Sequence, residues 1–120
     1  MKFLVITRDP DVAVAAKEGL TPYECHCMPD WREALECCAG YDLIFVDQLA
    51  TLEKAHEVAG YEKFAMAKME HPKASEIPLI LISTPADYEM DFVIGWPDFV
   101  LSNIQRPVTA KMFRRASTWI

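Results

Sequence analysis

The sequence predicts an α/β fold in which a five-stranded parallel sheet is covered by helices on both faces. Three observations lead there. Short apolar runs recur five times along the chain, and amphipathic stretches that open on capping residues separate them. The strongest runs, at Lys2–Thr7, Tyr41–Asp47 and Pro78–Ile82, lack the polar alternation of a strand with one wet face. Continuous runs of that kind mark strands buried on both sides.

Each element has its own signal. Lys2–Thr7 is a β-rich run, and Asp9-Pro10 follows as a turn and helix start, with Asp9 suited to the cap and Pro10 to the first helical position. Val12, Ala15, Ala16 and Leu20 form one apolar stripe, and Gly19 weakens the end of that helix. Tyr23–Met28 reads as a second strand. Asp30 caps a helix expected to run through Cys38 and to end at Gly40. After the third strand, at Tyr41–Asp47, residues Gln48–Glu70 read as largely helical, with a break near Gly60. Pro78–Ile82 is the fourth strand, Asp87–Ile94 a short helix, Asp98–Ser102 the fifth strand, and Thr109 caps a last helix to Thr118.

Composition narrows the function. A chain of 120 residues fits one domain, residues 1–120, and a 52% hydrophobic content supports a core without disulfides or metal. A net charge of −6 argues against nucleic-acid binding. No apolar run approaches the length of a membrane span, and the N-terminus has a single lysine without a signal-peptide pattern, so a cytoplasmic protein is expected. Cys25, Cys27, Cys37 and Cys38 are not spaced as zinc ligands and are expected as reduced, buried thiols; on a strand Cys25 and Cys27 face one way and His26 the other. Phe64, Met66 and Met69 are expected in the core. Trp31, Trp96 and Trp119 are read as packing residues, with Trp96 and Trp119 as alternative partner anchors.

In sheets of this kind, function gathers beyond the C-terminal strand ends. Those ends carry Thr7, Arg8, Asp9, Asp47, Ser83, Thr84 and Ser102. No Gly-rich or Ser/Thr-rich phosphate loop follows the first strand, which leaves a flavin binder or small enzyme without support.

Taken in order, Phe3–Val12, Tyr41–Asp47, Gly60–Ser83, Gly95–Phe99 and Arg106-Pro107-Val108 resemble the response-regulator receiver family over nearly the whole chain. The resemblance implies a flavodoxin-like, CheY-like three-layer sandwich with strand order 2-1-3-4-5. It makes Asp47 the phospho-acceptor position, Ser83 the hydroxyl switch position and Phe99 the aromatic switch position. The departures lie in the chemistry. Family members hold magnesium with an acidic pair and the acceptor aspartate, and here the pair's positions read Thr7 and Arg8, with Asp9 one residue on. The family's lysine is replaced by Ser102 when aligned from Phe99, or by Arg106 when aligned from Pro107. The loop after Asp47 is longer than the family's and the segment after Ser83 is shorter.

These departures give one expectation of geometry and one of function. Arg8 is expected to pair with Asp47 in the ion's place, with Asp9 acting as a helix cap. Magnesium is expected to bind weakly or not at all, and no other cofactor is implied. The expected activity is phosphorylation-independent binding of a signalling protein, not catalysis, with a second copy of the chain as a further candidate partner. The alternative is a working receiver that accepts phosphate on Asp47.

Overall fold

The computed structural model describes residues 1–54, 57, 59–84 and 99–120. Strand β1 is Lys2–Ile6. Asp9 then caps α1, Pro10–Leu20, by accepting from the Asp11 N–H at 2.9 Å, and Pro10 costs no hydrogen bond because the first helical N–H has no partner within the helix. Strand β2 is Glu24–Met28, and Asp30 caps α2, Trp31–Glu36, through the Arg32 N–H at 2.9 Å. This helix stops short of the expected end at Cys38. Gly40, with φ +89°, turns the chain in a left-handed conformation open to glycine.

Strand β3, Leu43–Asp47, leads into a single turn, α3, Gln48–Thr51, and then into α4, Ala59–Glu70. The expected helical stretch is therefore two helices, and the break falls before Gly60: Leu52 is already extended. Gly60 is required where α4 meets the end of α3, because a Cβ there would overlap the Thr51 carbonyl oxygen. A 3₁₀ turn, Ala74–Glu76, precedes β4, Leu79–Ile82. Strand β5 is Ser102–Ile104, and Thr109 caps α5, Ala110–Ala116. The expected helix at Asp87–Ile94 and Trp96 lie outside the described residues.

All five strands of the described sheet run parallel in the order β2-β1-β3-β4-β5, as the sequence implied. The apolar runs divide residue by residue between two cores, as the alternation of side chains across a strand requires. Leu4, Ile44 and Leu81 pack with Trp31 of α2 and Tyr61 and Phe64 of α4. Phe3, Phe45 and Ile80 pack on the other face with Val12 and Leu20 of α1 and Phe113 of α5. Phe45 and Phe113 meet edge to face at 5.1 Å between centroids. Helices α1 and α5 touch at Gly19, where a Cβ would overlap the Ala110 carbonyl oxygen. The glycine that weakens α1 locally therefore lets the two helices close over the sheet. Met66 and Met69, expected in the core beside Phe64, are exposed on the outer face of α4, and only Phe64 turns inward.

A buried cation ties α4 to the sheet. Lys68 is 4% exposed and donates to the carbonyl oxygens of Ala74 at 2.9 Å and Ile77 at 2.7 Å. Burial lowers its pKa from 10.5 to about 8, with Cys38 acting weakly in the other direction. A lysine whose folded pKa lies below its unfolded value binds fewer protons in the folded state. Its contribution to stability therefore rises as pH climbs from about 8 towards 10.5. Urea unfolding across that window is expected to show the native protein gaining on Lys68→Met, by at most about 1 kcal/mol per pH unit. A constant difference between the two proteins would show that Lys68 does not titrate there.

Candidate functional site

Four strand ends converge on Asp47. Its carboxylate closes the central strand β3, is 1% exposed, and receives four hydrogen bonds from the described residues. Arg106 donates Nη1 to Oδ1 at 2.8 Å and Nη2 to Oδ2 at 2.7 Å. The Thr7 hydroxyl donates to Oδ2 at 2.8 Å, and the Leu49 N–H donates to Oδ1 at 3.1 Å, so Asp47 also caps α3. An ionised carboxylate has about four lone-pair directions, and all are occupied here. Arg106 is itself held: its Nη1 also donates to the Ser83 carbonyl at 2.9 Å, and its Nη2 lies 3.6 Å from Asp9 Oδ2. Burial works against the guanidinium's charge, but the hydrogen bonds and negative charge of Asp47, with Asp9 behind it, outweigh that and raise its pKa. The cation is permanent.

The pairing expected between Arg8 and Asp47 does not form. Arg8 is exposed, and Arg106 holds the carboxylate. The reason is register. Val5 lies opposite Phe45, so two residues further along Thr7 lies beside Asp47, on the same side of the sheet, and Arg8 faces away. Asp9 is the cap it was expected to be, and its own N–H donates to the Thr7 hydroxyl at 3.1 Å.

Ser102 is not at the pocket. It opens β5 opposite Ile80, whereas the pocket end of that strand is Ile104 opposite Ile82. The fifth strand therefore starts later than the Asp98–Ser102 expected from the apolar run. Phe99 consequently precedes the strand, packs against the core under α4, and has the Lys68 ammonium 5.7 Å from its ring centre. The residue that stands beside Ser83 is Asn103, whose Nδ2 donates to the Ser83 hydroxyl at 3.2 Å. The sequence reading missed Asn103; counting back from Arg106-Pro107, instead of forward from Phe99, would have put it inside the strand. Thr84 is half-buried beside Ser83 and, among the described residues, is not joined to the cluster by a hydrogen bond.

With this geometry in view, solved structures supply a close frame. The chain superposes on the chemotaxis response regulator CheY4 of Vibrio cholerae with a TM-score of 0.70 at 16% identity, covering 98% of this chain and 95% of that one. A CheY-like receiver domain protein of Methanospirillum hungatei gives 0.72 at 14% identity, covering 98% and 91%. The fold is that of a response-regulator receiver domain. No family model matches the chain, and no curated protein does.

The receiver fold implies a magnesium ion beside Asp47, and the residues here do not fit one. The guanidinium of Arg106 occupies both carboxylate oxygens, Thr7 presents a hydroxyl already committed to the same carboxylate, and Asp9, the further acid at the site among the described residues, is engaged as a cap. A hard dication needs anionic oxygens with free lone pairs, and a fixed cation within contact distance repels it.

Arg106→Met leaves a buried carboxylate without its counter-charge and is expected to cost about 3 kcal/mol in urea unfolding. Arg8→Ala is expected to cost less than about 0.5 kcal/mol. Adding Asp47→Asn to Arg106→Met should recover part of the loss, since the buried charge goes too; additive losses would show that the pair is not coupled. Next to the cluster, Gln48 is fully buried and its side-chain amide has no hydrogen-bond partner among the described residues. Gln48→Met, which keeps the length of the side chain and removes the amide, is expected to raise stability by about 1–2 kcal/mol.

Proposed function

We propose that this chain is a pseudo-receiver: a signalling module of receiver fold that acts by binding a partner protein and not by accepting phosphate. One observation carries the reading. The carboxylate that would attack phosphorus is saturated by Arg106, Thr7 and the Leu49 N–H. A nucleophilic oxygen needs a free lone pair aimed at the phosphorus, and a metal to screen the incoming charge. Arg106 supplies the screening charge permanently, and it blocks the approach it screens. Moving it aside would strip a buried carboxylate of its counter-ion, which costs several kcal/mol.

In this reading the pocket is fixed in one arrangement. Thr7, Asp9, Asp47, Ser83 and Arg106 form one hydrogen-bonded unit that joins β1, β3, β4 and the turn after β5. A unit with one stable arrangement cannot report a phosphorylation state. The surface it supports is presented constitutively, to a protein partner in the cytoplasm, and the domain needs no cofactor and carries out no catalysis of its own. Among the described residues no helix is long and apolar enough to cross a membrane.

The test is direct. The purified protein is incubated with a small-molecule phosphodonor and magnesium and weighed intact. No phosphoryl adduct is expected, for the native protein or for Asp47→Asn. An adduct on the native protein that Asp47→Asn abolishes would establish the working receiver instead.

A further inference from the structure

The two faces of the molecule carry opposite charge. Residues 99–120 hold Arg106, Lys111, Arg114 and Arg115 and no acid, whereas acids outnumber lysines and arginines over residues 24–76, which include α2 and α4. Arg106 is engaged by Asp47. Lys111, Arg114 and Arg115 are exposed and fall within an arc of about 100° around α5, away from buried Phe113 and Ala116. Among the described residues none of the three cations forms an ion pair. Trp119, read from the sequence as a packing residue or a partner anchor, closes the turn after α5 by donating its N–H to the Ala116 carbonyl at 3.0 Å, and it is 39% exposed.

On the other face of the sheet, α2 and α4 border an open groove of about 530 Å³, roomy enough for a large side chain and its neighbours. Trp31 and Leu35 of α2, Ala67 of α4 and Pro72 give it an apolar floor, and exposed Glu36 and Glu70 stand at its rim. Arg32 also lines it, but its guanidinium lies over the Trp31 ring at 4.3 Å and pairs with Glu53 at 3.4 Å. Of the four cysteines expected to be buried only Cys38 is; Cys37, which follows Glu36, is exposed, and Cys25 and Cys27 are half-buried. Among the described residues no group of His, Cys, Asp and Glu could hold a metal ion, so the two rim carboxylates suit organic cations better. The groove offers an aromatic floor with two negative charges, and α5 offers an aromatic ring with three positive ones.

We propose that the groove receives the basic face of α5 and Trp119 from a second copy of this chain, joining copies head to tail. Glu36 and Glu70 face Lys111, Arg114 and Arg115 across the contact, and the Trp119 ring seats on the apolar floor, where aromatic anchors contribute most. The two surfaces lie on opposite faces of one sheet, so a single copy cannot bring its own together. A contact between two different patches leaves one of each free at the ends, and the assembly is open-ended. One short helix in one groove makes a small interface, so the association is weak and depends on concentration. The net charge of −6 on each copy repels at a distance. At about 0.1 M salt that repulsion is screened beyond about 10 Å, while the opposite charges in contact act at shorter range. Neither surface contains Asp47, so the contact is independent of whether the pocket accepts phosphate.

The purified chain is sedimented at increasing concentration in about 0.1 M and about 0.5 M salt. The average mass is expected to rise above the monomer with concentration at the lower salt, and the dissociation constant to rise about tenfold at the higher. Arg114→Glu with Arg115→Glu is expected to abolish association, and Glu36→Gln with Glu70→Gln to weaken it about tenfold. All four positions are exposed, so unchanged urea midpoints report intact folding. Mixed, the two variants are expected to form a one-to-one complex that grows no further, because one supplies a native groove and the other a native α5. Trp119→Ala is expected to weaken association about tenfold and to leave its decline with salt in place. A monomer at up to about 1 mM protein in the lower salt, association that strengthens with salt, or variants that gain nothing on mixing would each overturn the proposal.

Discussion

Asp47 is a carboxylate at the end of the most buried strand, with almost no contact with water. A charge in that position has to be matched by donors, because the loss of hydration costs several kcal/mol per ion before any partner is found. The rest of the pocket is arranged around meeting that requirement. Arg106 brings a counter-charge with two parallel N–H bonds, Thr7 and Leu49 fill the remaining lone pairs, and Ser83 and Asp9 hold Arg106 in turn. The groups come from the ends of β1, β3 and β4 and from the turn after β5, so the carboxylate also links elements far apart in sequence.

Such a pair is a weak source of net stability, since well-packed apolar residues of similar volume do as well or better. What it provides is a defined arrangement. A bidentate guanidinium fixes both the position and the orientation of the carboxylate. Lys68 shows the same logic on the other side of the sheet with a different outcome: a buried cation that donates to two backbone carbonyls, and whose pKa falls with burial. The two cations shift in opposite directions because the negative charge of Asp47 outweighs burial at Arg106, whereas burial dominates at Lys68.

The fold survives at 14–16% identity to the receivers it superposes on. That divergence is tolerable because the frame depends on a pattern more than on particular residues: apolar runs that feed two cores, and caps at the helix starts. The chemistry of the strand ends is under no such protection. Arg106, in the turn after β5, meets the charge of Asp47 from outside both apolar clusters.

The sequence by itself determined the α/β class, the five strands and the capping residues Asp9, Asp30 and Thr109, and, through resemblance, the strand order. These rest on local signals: continuous apolar runs, the proline after Asp9, and side-chain oxygens ahead of apolar stripes. It also brought Asp47, Thr7, Asp9, Ser83 and Arg106 into one candidate set. It misassigned the partner of Asp47, although the constant offset between β1 and β3, once known, puts Thr7 and not Arg8 beside it. Only the tertiary structure decided where β5 begins, because three residues with one buried side chain carry almost no periodic signal, and their register is set by β4. That register moved Ser102 and Phe99 away from the pocket, put Asn103 against Ser83, and delivered Arg106 to the carboxylate. Distances of this kind depend on how two strands slide past each other, and no stretch of sequence encodes that slide alone.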